Sequence, residues 1–162
     1  EYPADLRITA PDAAGAYFGP SHAGGLGWGF AAALGVRAAR PDRVVVCTVG
    51  DGSYHYAVPT SCHHVCAANN LPLLVIVFDN GGWNEVRKSV LGVHPDGWAA
   101  RQEPMPLVDF GCQASYQRIV EAFGGFGTTV RRSDELPGAL KQAMTVVREE
   151  GRQALVHVVC QG

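Results

Sequence analysis

Four short apolar runs are spaced along the chain and separated by longer segments in which apolar and polar residues mix. The first two runs are nearly continuous in Val, Ile and Leu, which is typical of parallel strands that helices cover on both faces. The runs that we predict to be strands cover residues 43–49, 71–78, 126–130 and 154–159.

The segments around these runs carry apolar residues at helical spacing. We predict helices at residues 27–40, 59–70, 106–125 and 133–151. Residues 84–107 are punctuated by Gly and Pro, so we expect a long irregular segment there, of the kind that often carries binding residues. Because strands and helices alternate, the pattern predicts an α/β fold: a three-layer α/β/α domain with a mostly parallel sheet.

Composition narrows the classes of protein to which the chain can belong. Its 162 residues, 47% of them apolar, suffice for one domain with a substantial core. The formal net charge of −2 gives no indication of a nucleic-acid or membrane partner, and no apolar run approaches the length of a membrane span. The five cysteines have no regular spacing, so we expect no disulfide framework and a cytoplasmic location.

Three features suggest other sites and are set aside. Residues 62–66, CHHVC, resemble a zinc motif, but no matching Cys/His pair follows, and a structural helix is the favoured interpretation. The glycine cluster at 24–29 lacks the G-x-G-x-x-G spacing of a dinucleotide site. His157 lies within the last predicted strand and is expected to be a core or edge residue.

The turn GDGSYHY, residues 50–56, directly follows the first apolar run. Gly50 and Gly52 allow the backbone to approach a ligand, Asp51 offers a carboxylate oxygen, and Ser53 offers a hydroxyl group. Taken alone, this segment is compatible with a plain turn, a phosphate loop or half of a metal site.

A second polar turn, FDNGGW at residues 78–83, ends the next apolar run. Asn80 supplies an amide oxygen, and the two glycines after it leave their carbonyl groups accessible. The ends of adjacent parallel strands face one another, and Mg²⁺ binds oxygen ligands while taking others from phosphates and water. The two turns together therefore predict a site for Mg²⁺ and a diphosphate.

The two turns resemble the fingerprint of thiamine diphosphate enzymes, in which GDG is followed at a similar interval by Asn-Asn. Here GDG is followed after 26 residues by Asp-Asn. The segment from Ser21 to Ser53 is similar to benzoylformate decarboxylase and acetolactate synthase-like enzymes, and the similarity continues to the last strand. The resemblance covers residues 1–162 as the diphosphate-binding domain with the thiamine diphosphate fold. We expect a fragment or subunit that lacks the pyrimidine-binding and central domains.

The resemblance implies specific roles for residues near the two turns. Asp51, Asn80 and the carbonyl group of Gly82 would bind Mg²⁺. Leu26 would lie beneath the cofactor and bend it, and the carbonyl group of Gly24 would accept from its amino group. The full set that the resemblance implies for cofactor binding is Gly24, Gly25, Leu26, Gly50, Asp51, Gly52, Ser53, Asn80, Gly82 and Trp83, with His22 as a further candidate beside a phosphate or the substrate.

Residues 83–86 match positions that face the substrate in relatives, and Glu85 is the only carboxylate among them. It would serve as a proton donor or relay, or else it is a solvated helix residue paired with Lys88 or Arg87. The sequence also departs from the family pattern, because Asp79 replaces the first Asn of the pair.

The implied function is that of a decarboxylase or carboligase that acts on 2-keto acids or related carbonyl substrates, as a homo-oligomer. The family needs a glutamate from a separate pyrimidine-binding domain, so we expect this chain alone to bind the cofactor weakly and to lack turnover. Two alternatives stay open: one subunit of a split enzyme, or a non-catalytic domain that binds a ligand or builds an oligomer.

Overall fold

The structure, a computed structural model, describes residues 17–19, 25–112 and 114–160. It contains the strands β1 (Val46–Gly50), β2 (Leu74–Asp79), β3 (Phe126–Val130) and β4 (Ala154–Val159). Its helices are α1 (Trp28–Ala39), α2 (Asp51–Tyr56), α3 (Pro59–Ala68), α4 (Asn84–Val93), α5 (Tyr116–Glu121) and α6 (Leu136–Glu149). The four predicted strands are therefore confirmed, although β1 and β2 each begin three residues later than predicted.

All pairings between the four strands are parallel, and their order across the sheet is β1-β2-β4-β3. The register places Gly50 beside Phe78 and Asp79 beside Val159. The last residues of β1, β2 and β4 therefore lie along one edge of the sheet, where parallel α/β folds place their ligands.

Helices cover both faces of the sheet and give the predicted three layers. On one face, α1, α3 and α5 bury side chains that include Phe30, Val75 and Val120 against β1, β2 and β4. On the other face, α6 packs on β3 and β4 around Val147 and Val156. The three-layer α/β/α prediction is confirmed, and it follows from strands that are apolar on both faces.

The predicted helix at residues 106–125 is wrong over its first half, since only Tyr116–Glu121 is helical. Leu107 adopts a left-handed φ of 62°, which is not helical. The carbonyl oxygen of Val108 accepts a hydrogen bond from Trp83 N at 2.8 Å. Phe110 N also donates to Gly81 O. Residues 107–111 therefore lie across the turn after β2 as a strap. Their hydrogen bonds to that turn replace the helical ones.

The prediction of an irregular segment at residues 84–107 is also wrong in part, because α4 occupies its first ten residues. Those residues contain no proline, and Gly92 lies near the end of the helix, where a glycine lowers the stability of the helix only slightly. None of the residues of α4 is buried. Because the apolar residues of α4 face no buried core, the sequence pattern gave no clear indication of a helix there.

Among the described residues, no helix is both long and apolar enough to cross a membrane.

A buried polar network links α2, α3 and the start of β4. Gln153 donates its Nε2 to the carbonyl groups of His63 and Phe123, so its Oε1 accepts from Nδ1 of His63 at 2.7 Å. The other ring nitrogen of His63 then accepts from the Tyr54 hydroxyl at 2.8 Å. Cys62 and Cys66 are buried in the same core, which supports the structural interpretation of CHHVC.

This network requires a neutral imidazole. Burial lowers the pKa of His63 below its ordinary value, although the hydrogen bond to Gln153 works in the opposite direction. In the unfolded chain the same group titrates near its usual pKa of about 6.5. Above that pH the neutral His63 makes its full contribution to the free energy of unfolding. Below it the unfolded chain takes up a proton at this histidine that the folded chain binds less readily, so the contribution decreases.

We expect the free energy of unfolding to fall as the pH decreases below about 6.5, by at most about 1.4 kcal/mol per pH unit for this one group. Urea unfolding at pH 7.5 and pH 5.5, followed by circular dichroism, measures the effect. The His63→Gln variant should lose part of this pH dependence, whereas His94→Gln, at an exposed position, should keep it. Equal pH dependence in both variants would contradict the assignment.

Candidate functional site

The polar turns after β1 and β2 meet at the carboxyl edge of the sheet. Asp51 begins α2 directly after β1, and it is only 3% exposed. Its Oδ1 accepts a hydrogen bond from Gly52 N at 2.7 Å, and its Oδ2 accepts one from Gly81 N at 2.9 Å. The second bond joins two turns that lie 30 residues apart in the sequence.

The turn after β2 presents further oxygen atoms at this edge. Asn80 is exposed, and its Oδ1 accepts from Gly82 N at 3.3 Å. Gly81 has a left-handed φ of 78°, which turns the chain sharply and favours glycine at this position. The structure thus brings Asp51, Asn80 and Gly82 into one small region, while their role as metal ligands stays a prediction.

A third segment, the loop at Gly25–Gly27, is attached to α2. Gly27 donates its N–H to Ser53 Oγ at 3.0 Å. A Cβ on Gly27 would lie 2.6 Å from the carbonyl of Tyr56, and its φ of 86° also favours glycine. The loop leaves Gly25 exposed and Leu26 49% exposed. The candidates His22 and Gly24 lie outside the described residues.

Aromatic side chains form one wall beside the turns. Trp83 packs directly on Gly52, since a Cβ there would lie 2.5 Å from the indole ring. Its ring lies 4.8 Å from Phe110 and 5.2 Å from Tyr56, centroid to centroid. Sequence analysis selected Trp83 but missed Phe110. The strap that carries Phe110 had been predicted as a helix, so no local signal brought the two rings together.

A second carboxylate, Asp79, lies beside Asp51. Its Oδ1 accepts from the same Gly81 N–H at 2.9 Å, and its Oδ2 lies 2.7 Å from Nε2 of His157 on β4. Both side chains of this pair are buried. His157 is thus a core residue as expected, but its bond to Asp79 could not be foreseen because the two are 78 residues apart.

The two carboxylates differ in how readily they ionise. Burial, followed by the neighbouring carboxyl group of Asp79, raises the pKa of Asp51 above its ordinary value. Burial also disfavours the anion of Asp79, but the hydrogen bonds from His157 and from the Gly81 N–H favour it, and the pKa of Asp79 lies below its ordinary value.

A cavity of about 310 Å³ opens between the turn after β2, the end of β4 and residues 111–112. The residues that line it are Asp79, Asn80, Gly81, Gly111, Cys112, Val159 and Cys160. The turn after β2 therefore faces both Asp51 and an open space large enough for a small group.

The sequence matches the family described as thiamine pyrophosphate enzyme, C-terminal TPP binding domain, over residues 6–158. The chain belongs to this family. The resemblance to thiamine diphosphate enzymes and the predicted fold are thereby confirmed, thiamine pyrophosphate being the same compound as thiamine diphosphate.

Three relatives place the chain within this family. It is 32% identical over 139 residues to 2-hydroxyacyl-CoA lyase of Arabidopsis thaliana, and the aligned region covers 83% of this chain and 21% of that protein. It is 35% identical over 136 residues to benzoylformate decarboxylase of Pseudomonas aeruginosa, where the aligned region covers 83% of this chain and 23% of that protein. The solved thiamine diphosphate-dependent 4-hydroxybenzoylformate decarboxylase of Rhodococcus jostii superposes with a TM-score of 0.71 at 26% identity, over 86% and 24%. The chain spans about a fifth to a quarter of these relatives.

The donor set of this thiamine pyrophosphate-binding domain fits a hard divalent cation. It offers one buried carboxylate, an amide oxygen and a backbone carbonyl, and Mg²⁺ takes oxygen ligands of these kinds and completes its shell with phosphate and water. Within residues 17–19, 25–112 and 114–160, no three His, Cys, Asp or Glu side chains form a metal-binding group. That finding is compatible with a site in which most ligands are neutral oxygens.

Glu85, the candidate proton donor, lies in the first turn of α4 and is exposed. Its Oε1 accepts from Lys88 Nζ at 2.8 Å, and that hydrogen bond lowers the pKa of Glu85. This geometry corresponds to the solvated pair that the sequence left open as an alternative. A catalytic role for Glu85 stays a prediction.

The contact between Trp83 and Gly52 should make the latter intolerant of a side chain. We expect Gly52→Ala to lower the free energy of unfolding by about 1–3 kcal/mol, because the methyl group must displace the indole ring. Urea unfolding followed by circular dichroism measures this change, and tryptophan fluorescence reports the displaced ring. Gly35→Ala in α1 is the matched control, since nothing lies within 4 Å of that position and a gain of up to about 1 kcal/mol is expected. A loss of similar size in both variants would show that the indole contact is unimportant.

Proposed function

We propose that this thiamine pyrophosphate-binding domain holds the Mg²⁺–diphosphate half of the cofactor in a decarboxylase, lyase or carboligase that acts on 2-keto acids or related carbonyl substrates. The observation that carries the proposal is the buried carboxylate of Asp51, which a hydrogen bond ties to the polar turn after β2. The names of the relatives, a lyase of 2-hydroxyacyl-CoA and decarboxylases of benzoylformate, support this substrate class.

In this proposal Asp51, Asn80 and the carbonyl of Gly82 would hold Mg²⁺, which would neutralise negative charge of the diphosphate. Gly52 and Ser53 contact the diphosphate from α2. Ser53 already accepts a hydrogen bond from Gly27, so its hydroxyl hydrogen stays available for a phosphate oxygen. When bound, thiamine diphosphate supplies a nucleophilic thiazolium carbon and an electron sink for a substrate carbonyl.

The other half of the cofactor would lie on the loop that carries Leu26. This loop is fixed to α2 through Gly27 and Ser53, so its position relative to the metal site is set by one hydrogen bond and a tight packing contact. Leu26, Trp28, Tyr56 and Val58 are large apolar side chains that are exposed there. We propose that they contact the cofactor and the pyrimidine-binding domain, which comes from another part of the protein or a partner chain.

Calorimetric titration of thiamine diphosphate into the chain together with its pyrimidine-binding domain, with and without Mg²⁺, tests the proposal. Binding that depends on Mg²⁺ is expected. A panel of 2-keto acids and 2-hydroxyacyl-CoA thioesters, assayed for carbon dioxide release and for aldehyde products, then separates decarboxylase from lyase. Absence of Mg²⁺-dependent binding would instead favour a non-catalytic domain.

The Asp51→Ala variant should weaken Mg²⁺-dependent cofactor binding by more than about 100-fold, because it removes the charged metal ligand. The same titration measures the loss. Asp42→Ala is the control, since Asp42 is an exposed carboxylate that precedes β1 and pairs with Arg40. If Asp51→Ala binds as tightly as the wild type in Mg²⁺, the metal assignment is wrong.

The Leu26→Ala variant should weaken cofactor binding by about tenfold while leaving the thermal midpoint within about 1 °C, because the side chain is half exposed until the cofactor covers it. Calorimetry and thermal unfolding measure the two quantities. Leu91→Ala on α4 removes a similarly exposed leucine and should change neither. A drop in thermal midpoint with unchanged affinity would assign Leu26 to the core instead.

A further inference from the structure

His157 and Asp79 form a buried hydrogen-bonded pair that the proposed metal site does not itself contain. His157 is 1% exposed in the middle of β4, and Asp79 is 4% exposed at the end of β2. We propose that the two act as positioning residues, which fix the turn after β2 so that Asp51 faces the metal. This inference rests on the proposed function and extends it to residues outside the proposed metal ligands.

The connection from His157 to Asp51 is continuous. Nε2 of His157 lies 2.7 Å from Asp79 Oδ2, and Gly81 N lies 2.9 Å from Asp79 Oδ1. The same N–H lies 2.9 Å from Asp51 Oδ2. One backbone N–H is therefore shared by two carboxylates, and its direction is set by the one that His157 holds.

The donor and acceptor properties of these groups determine how the pair is arranged. An ionised carboxylate only accepts hydrogen bonds, so Nε2 of His157 must carry the hydrogen. Each oxygen of Asp79 then has one donor, from His157 and from Gly81. Without the imidazole, Oδ2 of Asp79 would be buried and unpaired, and the carboxylate would be free to rotate away from Gly81.

The ring of His157 is itself fixed from two sides. Tyr116 on α5 packs edge-on against it at 4.8 Å between ring centroids, and Thr129 Oγ1 on β3 lies 3.4 Å from Nδ1. These contacts hold the ring with Nε2 toward Asp79 on β2. Hydrogen-bond partners of metal ligands typically change metal affinity by about 10–100-fold when removed.

The position of Asp79 gives a reason for this arrangement. The family pattern places Asn there, and an amide can donate as well as accept. A carboxylate in its place adds negative charge next to Asp51 and needs a second donor, which the histidine supplies from the neighbouring strand. We therefore treat Asp79 and His157 as one unit that shapes the turn.

Two variants of His157 that differ only in the length of the side chain test this role. His157→Gln keeps an N–H donor at about the distance of Nε2, whereas His157→Asn carries the same amide on a shorter side chain that does not reach Asp79. Mn²⁺ serves as the probe, and electron paramagnetic resonance counts free Mn²⁺ in the presence of thiamine diphosphate and the pyrimidine-binding domain. We expect Mn²⁺ binding to weaken about 10–100-fold in His157→Asn and less than about threefold in His157→Gln.

A matched control separates positioning from general stability. His63 is another fully buried histidine with two side-chain hydrogen bonds, but its partners Tyr54 and Gln153 belong to the core network. His63→Asn should lower the thermal midpoint and leave Mn²⁺ affinity unchanged. If His157→Asn lowers the midpoint in the same way and binds Mn²⁺ as the wild type does, the positioning role is overturned.

A variant on the other side of the hydrogen bond keeps the inference testable if His157→Asn does not fold. Asp79→Ala should weaken Mn²⁺ binding by a similar factor, and the double variant should lose no more than either single one, because both act through one bond. Unchanged Mn²⁺ binding in Asp79→Ala, or fully additive losses, would count against the unit. If wild-type protein binds no Mn²⁺ with thiamine diphosphate, the proposed function fails, and this inference falls with it.

Discussion

The shared hydrogen bond of Gly81 N–H is the contact on which the site depends. It joins the end of β1, through Asp51, to the end of β2, through Asp79. Two carboxylates so close together repel one another, and each lies among buried neighbours. The fold holds them there because backbone N–H groups and one imidazole stabilise the negative charge.

The parallel sheet makes this contact possible. The register that sets Gly50 beside Phe78 also brings the two polar turns to the same height on one edge. Packing on both faces then keeps that register, because a shift of one residue would turn Val75 and Val77 to the opposite face of the sheet and break the packing of both cores. The stability of the core and the geometry of the site are therefore consequences of the same strand pairing.

The strap at residues 107–111 connects the site to the rest of the domain. Its backbone pairs with Gly81 and Trp83, and its Phe110 ring closes the aromatic wall over α2. The loop of Leu26 is attached from the opposite side through Ser53. The turn after β1 is thus bonded both to the loop of Leu26 and to the turn after β2, which the strap holds in turn. These bonds reduce the motion of the groups that would face the diphosphate. Such preorganisation lowers the entropy lost when a ligand binds.

The sequence by itself determined the strands, the alternation with helices and the two polar turns, because these depend on local apolar runs and on turn residues that stand side by side in the chain. It also indicated the family, since the GDG and Asp-Asn elements stand at an interval similar to that of thiamine diphosphate enzymes. Only the tertiary structure decided that residues 107–111 form a strap rather than a helix, and that α4 forms without burying a side chain. It alone paired Asp79 with His157, because strand order, which no local pattern encodes, places β4 next to β2.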